Sequence, residues 1–98
     1  MPYFDHSATT PIHPQVLETM NSISEIHFGN PSSIHASGRK SRSIIESARR
    51  TIAEAIQASH NEIIFTGSGT EANNIVLWSL AHLEKKHVIT SAIEHPAI

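Results

Sequence analysis

The order of patterns between residues 62 and 91 constrains this chain more than any other feature of its sequence. Glu62–Thr66 and His87–Ser91 are short and rich in β-branched residues, which is typical of strands. Between them, apolar residues at helical spacing predict a helix from about Thr70 to Glu84. Strand, tight turn, helix and strand make a βαβ unit, whose strands run parallel and are joined by a right-handed crossover.

A parallel sheet needs more than these two strands, because its strands have neighbours and both of its faces are normally covered. The whole chain has only 98 residues, and no further strand is predicted in it. We therefore expect an α/β fold with an incomplete, mainly parallel sheet. Either this chain is the front end of a larger polypeptide, which we favour, or other chains supply the missing strands. Phe65 and Trp78 are expected in the core.

Two more helices are predicted ahead of the first strand. Pro14 suits a first helical position, and the apolar residues that follow predict about three turns. A second, longer helix places Ile45, Ala48, Ile52 and Ile56 on one face, and Ser32 or Ser33 can cap its start. The pattern changes near Pro31. We therefore divide the chain into residues 1–30, mostly irregular with one short helix, and residues 31–98, which hold the helix, strand, glycine turn, helix and strand.

Composition argues against several classes of function. The absence of cysteine excludes a disulfide framework, a thiolate metal site and a thiol nucleophile within the chain. With 7 basic and 9 acidic residues, the chain has no broad cationic field for nucleic acid or anionic membranes. The eight histidines form no H-E-x-x-H motif, so no metal site is predicted. No stretch approaches the ~20 apolar residues of a membrane span, and a secretory leader pattern is missing, so we expect a cytoplasmic protein.

The turn Gly67-Ser68-Gly69-Thr70 is the strongest candidate for a binding site. Glycine lets the backbone approach a ligand closely, and the unpaired N–H groups in the first turn of a helix attract anions. A phosphate group fits this arrangement, and the hydroxyls of Ser68 and Thr70 could add hydrogen bonds. The turn matches neither the Walker motif nor the dinucleotide fingerprint. Spacing alone leaves one alternative open: the glycines only form a tight turn, and Thr70 only caps the helix.

His95 is the second candidate, because it follows the carboxyl end of the second predicted strand. Ligands bind at this edge of open α/β sheets, and the glycine turn lies at the same edge. An imidazole there could stack on a flat cofactor or transfer a proton. The alternative is a solvent-facing loop histidine without a role.

Four separated stretches match the pattern of a known family, both in their order and in their spacing along the chain. They are Tyr3–Pro11, Gly29–His35 with Gly38-Arg39, Glu62–Asn74 and Glu94–Ala97. Together they resemble the N-terminal region of cysteine desulfurases, within the class V group of pyridoxal 5'-phosphate (PLP) enzymes, and they span essentially the whole chain. The compact glycine turn is similar to that of the nitrogen-fixation and iron–sulfur-cluster branch. His6 departs from the pattern, because the family usually has asparagine there.

The resemblance implies an aminotransferase-like, fold type I α/β structure with PLP as the cofactor. It implies that Gly69 and Thr70 bind the cofactor phosphate through backbone N–H groups and the Thr70 hydroxyl. It also implies that His95 is catalytic, stacking on the pyridine ring and assisting proton transfer. Ala8, Thr9 and Thr10 would lie near the substrate pocket, and residues 30–35 near a dimer interface.

The resemblance further implies an activity for the complete enzyme, a homodimer that converts L-cysteine into L-alanine and passes sulfur on through an enzyme persulfide. An iron–sulfur scaffold protein is a candidate acceptor. The family's Schiff-base lysine and persulfide cysteine lie further downstream; Lys40, Lys85 and Lys86 do not sit in the lysine motif. We therefore expect no activity from this chain alone. The alternatives are a noncatalytic phosphate-binding or partner-binding assembly module, and another class V enzyme such as a selenocysteine lyase.

Overall fold

A computed structural model describes residues 1–84 and 87–98 of the chain; Lys85 and Lys86 lie outside the described residues. The helices are α1 (Pro14–Ile26), α2 (Ala36–Ala55) and α3 (Gly69–Leu80), with one 3-10 turn at His60–Glu62. The chain divides into two compact units, Met1–His60 and Asn61–Ile98. The sequence-based boundary at residue 31 falls inside the first unit and stays a prediction.

Helix α1 confirms the first predicted helix. Pro14 occupies its first turn, where the missing N–H of proline costs no intrahelical hydrogen bond. The helix ends at Ile26, and the N–H of His27 then donates to the carbonyl of Ile23 at 2.8 Å. Four apolar side chains of α1 are still between 37 and 50 % exposed, and Ile26 at its end is 63 % exposed; the four are Val16, Leu17, Met20 and Ile23. Local sequence was therefore sufficient to predict this helix, but the described residues leave its apolar face partly uncovered.

Helix α2 starts later than predicted, and its N-cap is His35 instead of Ser32 or Ser33. The His35 Nδ1 accepts a hydrogen bond from the N–H of Gly38 at 3.3 Å. Both serines are held by Asn30, whose side-chain oxygen accepts from the Ser32 N–H at 2.9 Å and whose carbonyl accepts from the Ser33 N–H at 3.0 Å. These two bonds fold residues 30–33 into a turn, which moves the start of the helix beyond them.

The buried residues of α2 are small: Gly38, Ser41 and Ala53. The loop between α1 and α2 lies against the first two of these. The Ser41 hydroxyl donates to the carbonyl of His27 at 2.8 Å, and the carbonyl oxygens of Asn30 and Ser33 lie close to Gly38. Three members of the predicted apolar face remain exposed: Ala48, Ile52 by 42 % and Ile56 by 62 %. Backbone packed directly on a helix leaves room only for small side chains, so Gly38 and Ser41 make the close contact. Of the predicted apolar face, Ile45 is half-buried beside them.

Helix α2 ends in a Schellman motif, with hydrogen bonds from Ala58 N–H to Ala53 O at 2.9 Å and from Gln57 N–H to Glu54 O at 3.2 Å. Gln57 has a φ of 57°, the left-handed region that favours glycine.

We expect Gln57→Gly to raise the free energy of unfolding by about 0.5–1 kcal/mol, measured from the urea midpoint. Ala55→Gly, inside the helix, should lower it. A lower midpoint for Gln57→Gly would contradict the motif.

The predicted sheet is not formed within residues 1–84 and 87–98, and neither predicted strand appears there. The 3-10 turn takes in Glu62, residues 63–66 are irregular, and residues 87–91 have no regular structure. A parallel strand is held by hydrogen bonds to neighbouring strands, and the described residues supply no further strand to pair with. Phe65, expected in the core, is 46 % exposed, and Ile89 is 86 % exposed.

Helix α3 confirms the helix predicted after the glycine turn but ends at Leu80 instead of Glu84. Three i→i−3 bonds follow, from the N–H groups of Ala81, His82 and Leu83, so the chain leaves the helix through tight turns. Trp78, also expected in the core, is 73 % exposed. Apolar residues lie on several sides of α3, a pattern typical of a helix buried within a larger domain.

In the described part of the chain, no helix combines the length and apolar character needed to cross a membrane.

Candidate functional site

The glycine turn is held in shape by three local hydrogen bonds. The Ser68 Oγ accepts from the Glu71 N–H at 3.2 Å, and the Glu71 carboxylate accepts from the Gly67 N–H at 2.6 Å. The Thr66 hydroxyl donates to the Ser68 carbonyl at 3.1 Å. Serine at the N-cap and glutamate three residues later make a variant of the capping box, in which the carboxylate reaches the residue before the N-cap. The helix cap is therefore Ser68, and the alternative that Thr70 caps the helix is wrong.

This arrangement leaves two backbone donors at the start of α3. Among the described residues, neither the Gly69 N–H nor the Thr70 N–H has a hydrogen-bond acceptor, and the Thr70 hydroxyl makes no hydrogen bond. The positive end of the helix dipole lies at the same place. A Cβ atom built on Gly69 would meet nothing within 4 Å, so the space beside this residue is open. Two free N–H groups, an adjacent hydroxyl and open space can bind an oxyanion such as phosphate.

One negative charge lies next to these donors. The Glu71 Oε2 is 3.3 Å from the position of a Cβ atom built on Gly67, whereas the Gly69 position is open. The carboxylate therefore lies on the Gly67 side of the turn. The negative charge of this carboxylate opposes binding of a phosphate at the turn. Its hydrogen bond to Gly67, however, leaves the Gly69 and Thr70 donors unused.

His95 lies in a short turn at residues 95–98. Its Nδ1 accepts from the Ala97 N–H at 3.1 Å, and its carbonyl accepts from the Ile98 N–H at 2.9 Å. Because Nδ1 accepts a hydrogen bond, the neutral ring carries its proton on Nε2. The side chain is exposed. The ring is therefore accessible to a ligand, and its Nε2 is not used by the turn.

Asn73 connects the His95 turn to α3. Its Nδ2 donates to the carbonyl of Ala97 at 3.4 Å, across 24 residues of sequence. Asn73 stands one turn after Gly69 and Thr70 on the same helix, so the second unit brings the His95 turn beside the first half of α3. The sequence carries no signal for this role of Asn73, because its amide is half-buried and bonded to a segment 24 positions away only in the folded unit.

The first unit holds the other residues that the resemblance singles out. Thr9 and Thr10 line an open cleft of about 440 Å³, together with Tyr3, His6 and Pro11. The rings of Tyr3 and His6 meet edge to face, with centroids 5.0 Å apart. Ala8 lies in the adjoining turn, where its N–H donates to the carbonyl of Asp5 at 3.1 Å.

In residues 30–35 of the same unit, Ile34 is 90 % exposed. No group of three or more His, Asp or Glu side chains within residues 1–84 and 87–98 is placed to hold a metal ion.

Comparison with known proteins identifies the family. The model of the aminotransferase class-V family matches residues 2–98. A cysteine desulfurase IscS of Dictyoglomus turgidum is 48 % identical over 98 % of this chain, and cysteine desulfurase IscS 1 of Archaeoglobus fulgidus is 44 % identical over 100 % of it. A putative cysteine desulfurase IscS 1 of Bacillus subtilis is 48 % identical over 98 %.

The chain covers only 25 % or 26 % of the length of these three relatives. No solved structure matches it. Because the family model spans almost every residue, the chain belongs to the aminotransferase class-V family.

Proposed function

We propose that this chain is the N-terminal portion of a PLP-dependent cysteine desulfurase. The complete enzyme would convert L-cysteine into L-alanine and pass the sulfur on through an enzyme persulfide. The observation that carries the proposal is the similarity, over 98 % and 100 % of the chain, to relatives named cysteine desulfurase. Because the chain covers about a quarter of those relatives, the proposal concerns the protein with the remaining sequence in place. That sequence would have to provide the Schiff-base lysine and the persulfide cysteine.

The glycine turn fits the phosphate of PLP, the cofactor on which this family generally depends. We assign phosphate binding to the N–H groups of Gly69 and Thr70 and to the Thr70 hydroxyl. Support comes from the two unoccupied donors and from the open space beside Gly69. Ser68 contributes indirectly, because its hydroxyl is already used to cap the helix. When bound, PLP supplies the electron sink for chemistry at the substrate carbon.

We assign two tasks to His95. Its exposed ring can stack on the flat cofactor, while its Nε2 holds or moves a proton during the reaction. The Ala97 N–H bonded to Nδ1 fixes the ring orientation and leaves Nε2 available. The bond from Asn73 to Ala97 supports this assignment, because it links the His95 turn to the helix that carries the phosphate donors.

The wider architecture is also proposed for the complete protein. Family membership implies a fold type I α/β structure, in which residues 62–66 and 87–91 would become strands of a mainly parallel sheet. The exposure of Ile64, Trp78 and Ile89 supports this, because a completed domain would cover such side chains. We further propose a cytoplasmic homodimer with residues 30–35 near its interface and Thr9 and Thr10 near the substrate. An iron–sulfur scaffold protein is the proposed sulfur acceptor.

The direct test compares the full-length protein with the isolated 98-residue chain. Each is given PLP, L-cysteine and a thiol reductant that supplies the two electrons needed to release persulfide sulfur as sulfide. We expect alanine and sulfide in equal amounts from the full-length protein and neither from the isolated chain. Absence of alanine from the full-length protein would reject the desulfurase proposal and favour the noncatalytic module. A strong preference for selenocysteine would assign the chain to a selenocysteine lyase instead.

A further inference from the structure

We propose that Glu71 is a positioning residue for phosphate binding. Its carboxylate holds the glycine turn in the conformation that leaves the N–H groups of Gly69 and Thr70 unoccupied. This inference rests on the proposed function, because it concerns the residues assigned to the PLP phosphate.

Glu71 is hydrogen-bonded to the turn through both its side chain and its backbone. Its carboxylate accepts from the Gly67 N–H at 2.6 Å, and its backbone N–H donates to the Ser68 Oγ at 3.2 Å. The first bond is shorter than most N–H···O hydrogen bonds, as expected when the acceptor is charged. Together the two bonds close a ring over residues 67–71, so the backbone of the turn cannot rotate freely.

Such a restraint matters because the turn contains two glycines. Glycine populates more backbone conformations than any other residue, so an unrestrained Gly67-Ser68-Gly69 segment would sample many shapes. Only some of them point the N–H groups of Gly69 and Thr70 toward one ligand. Binding to the free turn would carry the entropic cost of ordering it, whereas a turn already held by Glu71 avoids most of that cost.

The hydrogen bond and the charge of Glu71 have opposite effects on an anion, which makes the proposal separable by mutation. The carboxylate charge repels a phosphate, but the carboxylate oxygen restrains the turn. Glu71→Gln keeps an oxygen that can accept from the Gly67 N–H and removes the charge. Glu71→Ala removes both. Positioning therefore predicts that the glutamine variant binds phosphate as well as or better than the parent protein, and that the alanine variant binds it less well.

The experiment measures binding of PLP and of pyridoxal, which lacks the phosphate, to the full-length apoprotein by absorbance titration. We expect Glu71→Ala to weaken PLP binding by about tenfold, comparable to the loss of one hydrogen bond to a charged group. Pyridoxal binding should not change, and Glu71→Gln should retain full PLP affinity. Glu84→Ala, which removes an exposed carboxylate outside the turn, should match the parent protein.

Three results would overturn the role of Glu71 while leaving the proposed function intact. The first is parental PLP affinity in Glu71→Ala. The second is an equal loss of PLP and pyridoxal binding, which would indicate general damage to the fold. The third is equal weakening in Glu71→Gln and Glu71→Ala, because the charge would then be the favourable element. Failure of the parent protein to bind PLP at all would instead reject the proposed function, and this inference with it.

Discussion

Replacing His95 with alanine in the full-length protein should lower kcat for alanine formation from L-cysteine by about a hundredfold. A side chain that transfers a proton in the transition state typically contributes a factor of about 10² to 10⁴, and we take the lower end of that range. The imidazole is exposed and its Nε2 is not used by the turn, so removing it costs the fold little. The measurement is steady-state kinetics with PLP at saturation.

Two matched variants separate the ring of His95 from its place in the turn. His95→Asn retains a side-chain oxygen that can accept from the Ala97 N–H, as Nδ1 does at 3.1 Å, but has no imidazole. We expect it to be as slow as the alanine variant. Parental kcat in His95→Asn would show that the residue only holds the turn. His87→Ala removes another exposed imidazole from the same stretch and should leave kcat unchanged.

Replacing Gly38 with alanine should destabilise the protein by about 1–3 kcal/mol, because added atoms in a tightly packed position force the surrounding backbone to shift. A Cβ atom built on Gly38 would lie 2.5 Å from the carbonyl oxygens of both Asn30 and Ser33. These are backbone atoms, so no side-chain rotation can relieve the contact. The measurement is the urea midpoint of the full-length protein, followed by circular dichroism.

Gly69→Ala is the matched control for Gly38→Ala. Both glycines lie in helices, but a Cβ atom built on Gly69 meets nothing within 4 Å. Alanine in a helix is favoured over glycine by about 0.5–1 kcal/mol, so Gly69→Ala should have a midpoint equal to or above that of the parent. An unchanged midpoint in Gly38→Ala would contradict the close approach of the loop to α2.

The helices illustrate how much of this fold follows from local sequence. Pro14 and the apolar spacing after it predicted α1, and the glycine turn predicted where α3 begins. Helix caps were harder to predict. Ser32 and Ser33 are good capping residues, but Asn30 holds both backbone N–H groups in a turn and leaves the cap to His35. Competition between neighbouring hydrogen-bonding side chains decided that point.

The strands were predicted from residue type and were not found. Residues 62–66 have the β-branched character of a strand, yet a strand also needs neighbours that supply hydrogen bonds. In the described ranges 1–84 and 87–98 no such neighbour is formed. The helices need only their own backbone groups, and for this reason they appear without the sheet.

The candidate site shows the same division. The glycine turn, Gly69, Thr70 and His95 could be selected from sequence, because their residue types and spacing are local signals. The hydrogen bond from the Gly67 N–H to the Glu71 carboxylate is also local, but residue types and spacing did not indicate it. The bond from Asn73 to Ala97 could not be inferred, because it joins residues 24 positions apart.

By itself, the sequence determined the three helices, the glycine turn and the family resemblance, since all of them depend on residue identities and on contacts within a few positions. Only the tertiary structure decided that Gly38 and Ser41 of α2 lie directly against another part of the chain, while Ile52 and Ile56 stay exposed. It also brought the turn that carries His95 to the helix that starts at Gly69. Both outcomes depend on which distant backbone segments approach each other, and spacing within one helix carries no information about that approach.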